Sequence, residues 1–311
     1  MTLAPYVQIV ARGQGRARAM TMAEAQEAMT LILNGEAAPE AVGALLMVMR
    51  LRGETAEEIA GFTAALRAHV GLALPKADLD LPSYAAGRSR GAPLFLLAAR
   101  LVGQAGFTVS IHGWNSHQSA AASLRDVIDL TGPNVTYAPL ETLSPAAFAL
   151  LNLRDTFGLR SCFNTVLRMW NPSGARATVQ GVFHPSYRSL QAQAAELLGQ
   201  SDLSIIKGGG GEFERHPSKD ALVFGLRDGV HIKETVPALM QETRKLHDAT
   251  KPINLSDLWD GRASDPFAIA TITGTAALAL WTLKAAETPA SAHHMACSLW
   301  EQRHQIESHY A

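Results

Sequence analysis

The chain has 311 residues, 47% of them hydrophobic, enough for one large or two modest domains with a sizeable core. Its 27 Lys and Arg against 28 Asp and Glu leave a net charge of -1, which excludes a global field for nucleic acid or membrane and leaves only local basic faces. Cys162 and Cys297 fit no disulfide or metal framework, and neither a signal-peptide core nor a membrane span is evident, so a reduced, cytosolic setting is expected.

Residues 1–75 read as a helical domain of three helices. Thr21 with Glu24 forms a capping-box pattern ahead of the apolar face Ala25, Met29, Ile32 and Leu33. A second helix starts near Pro39 and aligns Val42, Leu45, Leu46 and Met49. Thr55 with Glu58 repeats the capping box before Ile59, Phe62, Leu66 and Val70. Residues 74–82, with Pro75 and Pro82, read as a linker.

Beyond it, residues 80–311 alternate strands and helices, which argues for an α/β domain with a mainly parallel central sheet. Strands are expected at 108–111, 135–137, 177–183 and 203–206, with helices at 93–104 and from Tyr187 to Leu197. Leu222, Phe224 and Leu226 alternate ahead of Asp228-Gly229, and Val230 and Ile232 follow, which is a hairpin signal. Residues 269–283 read as a buried helix. Residues 144–172 look helical again and are expected to rejoin the N-terminal helical domain.

Ligands of such sheets bind at the carboxyl ends of strands. Two candidate sites lie there. Lys207 is followed by Gly208, Gly209, Gly210 and Gly211 and by the carboxylates Glu212 and Glu214. A nest of inward-turned N–H groups beside a lysine suits a phosphate, and the two glutamates suit a metal sharing that anion; the plainer alternative is a strand-to-loop turn. His112 and Gly113 close an earlier strand, facing either a ligand or a loop carbonyl. Arg154 and Arg160 flank Phe157-Gly158 and form a candidate clamp for a carboxylate or phosphate, against the alternative of surface arginine. Asn171-Pro172 is a turn signal that doubles as a candidate contact. Arg12, Arg16 and Arg18, with Arg50, Arg52, Arg88 and Arg90, are candidates to line a groove for a phosphate backbone, or else are scattered solvated charge.

The order of these features resembles anthranilate phosphoribosyltransferase and the wider glycosyltransferase family 3, over nearly the whole chain. The resemblance rests on Leu33-Asn34-Gly35, on residues 49–55, on His112-Gly113, on Leu153-Arg154 through Gly158-Leu159-Arg160-Ser161 to Phe163-Asn164, and on Asn171-Pro172, Gly181-Val182 and the Gly-rich acidic loop. It implies a helical domain hinged to an α/β domain with the ligand cleft between, and a homodimer through the helical domains. It also implies phosphoribosyl diphosphate with magnesium on the α/β domain, Arg154 facing the aromatic acid, and Glu214 as one of the magnesium pair.

The chain departs from the family pattern where diphosphate is held. The Gly-Thr-Gly-Gly-Asp loop of the enzyme is replaced by Leu81-Pro82-Ser83-Tyr84-Ala85-Ala86-Gly87-Arg88, its lysine by Ile111 and its magnesium aspartate by Phe213. That pattern is similar to a paralogous branch which includes a dimeric, sequence-independent nucleic-acid-binding protein. The expected partner is therefore nucleic acid or a phosphorylated small molecule, with no membrane. The alternative is an active magnesium-dependent glycosyl or phosphoribosyl transferase with a changed acceptor.

Overall fold

The structure is a computed structural model that describes residues 2–13, 15–84, 91–114, 124–209, 212–246 and 253–307, with side chains to residue 305. Helices α1 (Ala4–Ala11), α2 (Met22–Leu33), α3 (Pro39–Arg52) and α4 (Ala56–Val70) come first. Both expected capping boxes form, with Thr21 and Thr55 accepting from the N–H groups of Glu24 and Glu58. Glu58 is fully buried and also accepts from Met20 N and Arg52, tying the segment before α2 to the end of α3. Helix α1 was not among the three expected; it is only eight residues long, nearly all apolar with no polar face to mark a helical period, and it runs into Arg12.

Strands β1 (Leu79–Ser83), β2 (Val109–Gly113), β3 (Val135–Pro139), β4 (Ala177–Val182), β5 (Asp202–Lys207), β6 (Ala221–Arg227) and β7 (Val230–Val236) form one sheet in the order β3-β2-β1-β4-β5-β6-β7. β1 to β5 run parallel, and β6 and β7 add an antiparallel edge closed by Asp228 and Gly229, both at positive φ. Residues 74–82 are therefore not simply a linker, because β1 occupies the middle of the sheet despite Pro82. Leu79 N donates to the Thr108 carbonyl just ahead of β2, so Asp80 and Pro82 have their amide nitrogens on the β4 side. Pairing with β4 involves Leu79 and Asp80, so the ladder on that side has ended where Pro82 lacks a donor.

The other helices are α5 (Phe95–Gln104), α6 (Leu140–Leu143), α7 (Pro145–Phe157), α8 (Phe163–Met169), α9 (Tyr187–Leu197), α10 (Leu255–Trp259), α11 (Pro266–Thr282) and α12 (Pro289–Glu307). Two cores result. Leu79, Val109, Ala177 and Val179 face a core shared with α5, α11 and α12. Leu203, Ile205 and Leu226 face the other, which runs without break into α7, α8 and the side chains of α2 to α4. On that second side the central strands are polar. Asp80 aligns with Ser110 on β2 and Thr178 on β4, so the three lie side by side, all buried. No described helix is long and apolar enough to cross a membrane. Cys162 and Cys297 are both free thiols.

Candidate ligand-binding site

Three places at the carboxyl edge of the sheet bear on ligand binding. The first is the end of β1 and β2. Tyr84, just after β1, is buried, and its hydroxyl lies 2.9 Å from His112 Nδ1. His112 Nε2 lies 3.3 Å from Asp80 Oδ2, and all three side chains are sealed from solvent. Burial, with the charge of Asp80 next in effect, holds the Tyr84 phenol well above its ordinary pKa, so it stays a donor. The consistent proton order is Tyr84 O–H to Nδ1, then Nε2–H to Asp80. Trp170 packs edge-on to the imidazole at 5.7 Å, and Arg168 donates to the Tyr84 carbonyl at 3.0 Å. Gly113 lies so close to the Ser83 carbonyl that a Cβ would stand 2.2 Å from that oxygen. His112 and Gly113 thus face protein groups among the described residues, and neither lines the arginine-bearing cleft described below.

The second place is the loop after β5. Gly208 and Gly209 do not take the positive φ expected of an anion nest. Their lack of a side chain is needed for packing instead. A Cβ on Gly208 would meet the Glu212 carbonyl at 1.4 Å, and one on Gly209 would meet the Leu246 side chain at 2.1 Å. Gly210 and Gly211 lie outside the described residues. Lys207 ends β5 exposed, in register with Val182. Glu212 and Glu214 are buried on either side of Phe213. Glu214 Oε1 accepts from Phe95 N at 3.1 Å, which places a carboxylate on the first turn of α5. Among the described residues, no group of three or more His, Cys, Asp or Glu side chains could hold a metal ion. The pair falls short of a metal cradle by itself, and magnesium there would depend on oxygens brought by a phosphorylated ligand.

The third place is an open cleft of about 640 Å³ where the end of α3, the α7–α8 connection and the start of α9 meet. Arg50, Arg154, Arg160 and Arg168 line it, and Asp155, 3.5 Å from Arg154, is the one carboxylate among its described lining residues. Gly158 ends α7 in the left-handed conformation and turns the chain so that Arg154 and Arg160 reach one space. Arg50 donates to the Arg160 carbonyl, joining α3 to that turn. Burial lowers the Arg168 pKa, partly offset by the charge of Glu212.

The opposite wall is aromatic and amide-bearing. Phe183 and His184 follow β4 and meet edge to face at 4.8 Å. Tyr187 opens α9 and donates to Glu54 at 2.8 Å. Gln191, one turn further on, lines the cleft and is fully buried, with both amide atoms lacking a hydrogen-bond partner among the described residues; Asn164 Nδ2 is in the same state. Each such group costs roughly 1–3 kcal/mol if nothing meets it.

Several expected residues lie elsewhere. Asn171 takes φ 52° in its own turn, with its amide bonded to Ala175 and Gln200, and it lines a separate groove with Arg176 and Leu198. Arg12 and Arg16 are exposed and do not line the cleft, and Arg18 is held by both Glu24 carboxylate oxygens at 2.7 and 2.6 Å. Arg88 and Arg90 lie outside the described residues. Sequence reasoning missed Phe183, His184, Tyr187 and Gln191 as site residues. The available signal was a glutamine four residues after Tyr187 on an otherwise apolar helix face.

This arrangement of a helical bundle against an α/β sheet defines a glycosyltransferase-type scaffold, and residues 5–70 match the model of the glycosyl transferase family helical bundle domain. The chain is 30% identical to the anthranilate phosphoribosyltransferase of Symbiobacterium thermophilum over 70% of its own length and 69% of the relative's. An uncharacterised protein of Aquifex aeolicus is 31% identical over 66% of this chain and 67% of its own. The fold superposes on anthranilate phosphoribosyltransferase from Thermus thermophilus with a TM-score of 0.74 at 22% identity, covering 94% and 95% of the two chains. For the Saccharomyces cerevisiae enzyme in complex with phosphoribosyl diphosphate and magnesium the TM-score is 0.73 at 16% identity, covering 98% and 96%. The chain belongs to the anthranilate phosphoribosyltransferase-like proteins of glycosyltransferase family 3.

Proposed function

We propose that this protein binds the phosphates of nucleic acid, without sequence preference, through the arginine-lined cleft on a phosphoribosyltransferase scaffold. The observation that carries this is the gathering of Arg50, Arg154, Arg160 and Arg168 around one open space with a single lining carboxylate among the described residues. Guanidinium groups meet phosphate oxygens bidentately and keep their charge when half-buried. The reading is also supported at β1, where the stretch in which the family resemblance expects a glycine loop for diphosphate carries the buried Tyr84, bonded to His112 and through it to Asp80. Lys207, exposed at the end of β5, would extend the phosphate path along the strand ends. A homodimer through the helical part, as the resemblance implies, would double the cationic surface.

A second reading is favoured by the relatives at 30% identity that are named anthranilate phosphoribosyltransferase. Here Arg154 would face the acceptor, and Glu212 would share magnesium with the diphosphate of the donor. When bound, the ion would neutralise charge on the leaving group.

The test is fluorescence anisotropy of a labelled mixed-sequence single strand at low and moderate salt. Tight binding that weakens steeply with salt for several unrelated sequences is expected. Absence of binding at low salt, with product formed from phosphoribosyl diphosphate, magnesium and an acceptor panel, would replace the first reading by the second.

A further inference from the structure

We propose that the cleft takes one unstacked base of a single strand, held against Phe183 and His184, with Gln191 meeting the base edge and the arginines the flanking phosphates. This rests on the nucleic-acid reading above and narrows it from phosphate backbones in general to strands whose bases are free.

Three observations lead there. First, arginines and aromatic rings line one concavity rather than separate surfaces. Phosphate binding alone calls for the arginines and leaves the rings unexplained, whereas a single strand presents both phosphates and bare ring faces. Second, Phe183 is 37% exposed, and His184 meets it edge to face at 87°, so an aromatic pair with exposed ring surface lies on the cleft wall. The space of about 640 Å³ is within the range of about 300–1,000 Å³ over which sites bury a small-molecule ligand. Third, Gln191 reaches this wall from Tyr187 at i+4, sealed from solvent and unpartnered at both amide atoms.

A glutamine amide carries a donor at one end and an acceptor at the other. By turning over, it can meet a donor or an acceptor on any base. A site built this way favours the presence of a base without choosing which one. A duplex keeps its base faces stacked and cannot offer them to Phe183.

The experiment compares the intact protein's affinity for a labelled oligothymidylate, an abasic strand of the same length and a blunt duplex, all at one salt concentration. The oligothymidylate is expected to bind about tenfold or more tightly than the abasic strand. Phe183→Ala should bring it down to the abasic level, and Phe183→Tyr should restore the preference. Phe183 sits on the rim, so these changes spare the core. Equal affinity for the base-bearing and abasic strands, or a preference that survives Phe183→Ala, overturns the inference and leaves phosphate binding standing. Failure of all three probes to bind overturns the nucleic-acid reading itself, and the inference with it.

Discussion

The ends of β1 and β2 and the cleft before α9 share one edge of the sheet but are built on opposite rules. At β1 and β2, polar side chains bond chiefly to one another, although Asp80 Oδ1, Ser83 Oγ and Ser110 Oγ have no partner among the described residues. Tyr84 meets His112, His112 meets Asp80, and Glu214 sits on the first turn of α5. In the cleft, four arginines line one space, Arg168 reaching from it to the Tyr84 carbonyl, and a buried amide has no described partner. One edge of the sheet can therefore carry a buried chain of hydrogen bonds after β1 and an arginine-lined space after its neighbour β4. The sheet fixes only where strand ends lie; the residues after them decide what those ends hold.

The sharpest way to break this contrast is to remove the convergence. Arg154→Ala with Arg160→Ala should weaken oligonucleotide binding about a hundredfold or more and lower the salt slope by about two, measured by anisotropy titration. An unchanged slope would move the phosphate path out of the cleft. Next in size, Tyr84→Phe leaves His112 Nδ1 without its buried partner. Urea unfolding should report a loss of roughly 1–3 kcal/mol, with oligonucleotide affinity unaltered. A parallel loss of affinity would mean that the sealed end also takes part in binding.

The smallest effect concerns the N-terminal arginines. Arg18, with the Thr21 N–H next, pulls the Glu24 carboxyl down to about 2. A depressed folded-state pKa contributes stability above the unfolded value of 4.5 and loses it as pH falls toward 2. The pair is half-exposed, so screening limits its worth. Glu24→Gln, which can keep the capping geometry, should lower stability at pH 7 by less than about 1 kcal/mol. The gap between variant and parent should close between pH 4.5 and 2 in acid unfolding curves. A large gap at neutral pH would show that Arg18 serves as a structural clamp well beyond this pair.

Much of the fold was legible because local signals agreed with the tertiary outcome. Thr21 and Thr55 start their helices, and Asp228-Gly229 turns its hairpin. Helix α1 and strand β1 were not legible, for different reasons. The first is short and flanked by charge. The second contains a proline whose missing donor is harmless only because of where β4 stops pairing. The site was half legible. Arg154 and Arg160 are close in sequence and were paired on that basis. Arg50, named only among dispersed groove candidates, joins them from far along the chain, and the one mark of Gln191 is its place on an otherwise apolar helix face. The tetraglycine loop advertised a ligand nest, yet its described half is glycine so that Glu212 and Leu246 can come close.

The unbroken core beneath α4, α8 and α9 has a consequence for how this chain can be divided. Residues 5–70 match a family model of their own, yet Phe62 and Leu66 belong to the same apolar body as Leu203 and Ile205. Cutting after that segment would wet both sides of the join, so each fragment is expected to be less stable than it is within the whole chain. Melting should proceed as one cooperative event, and the slowest-exchanging amides should come from both parts of the chain together.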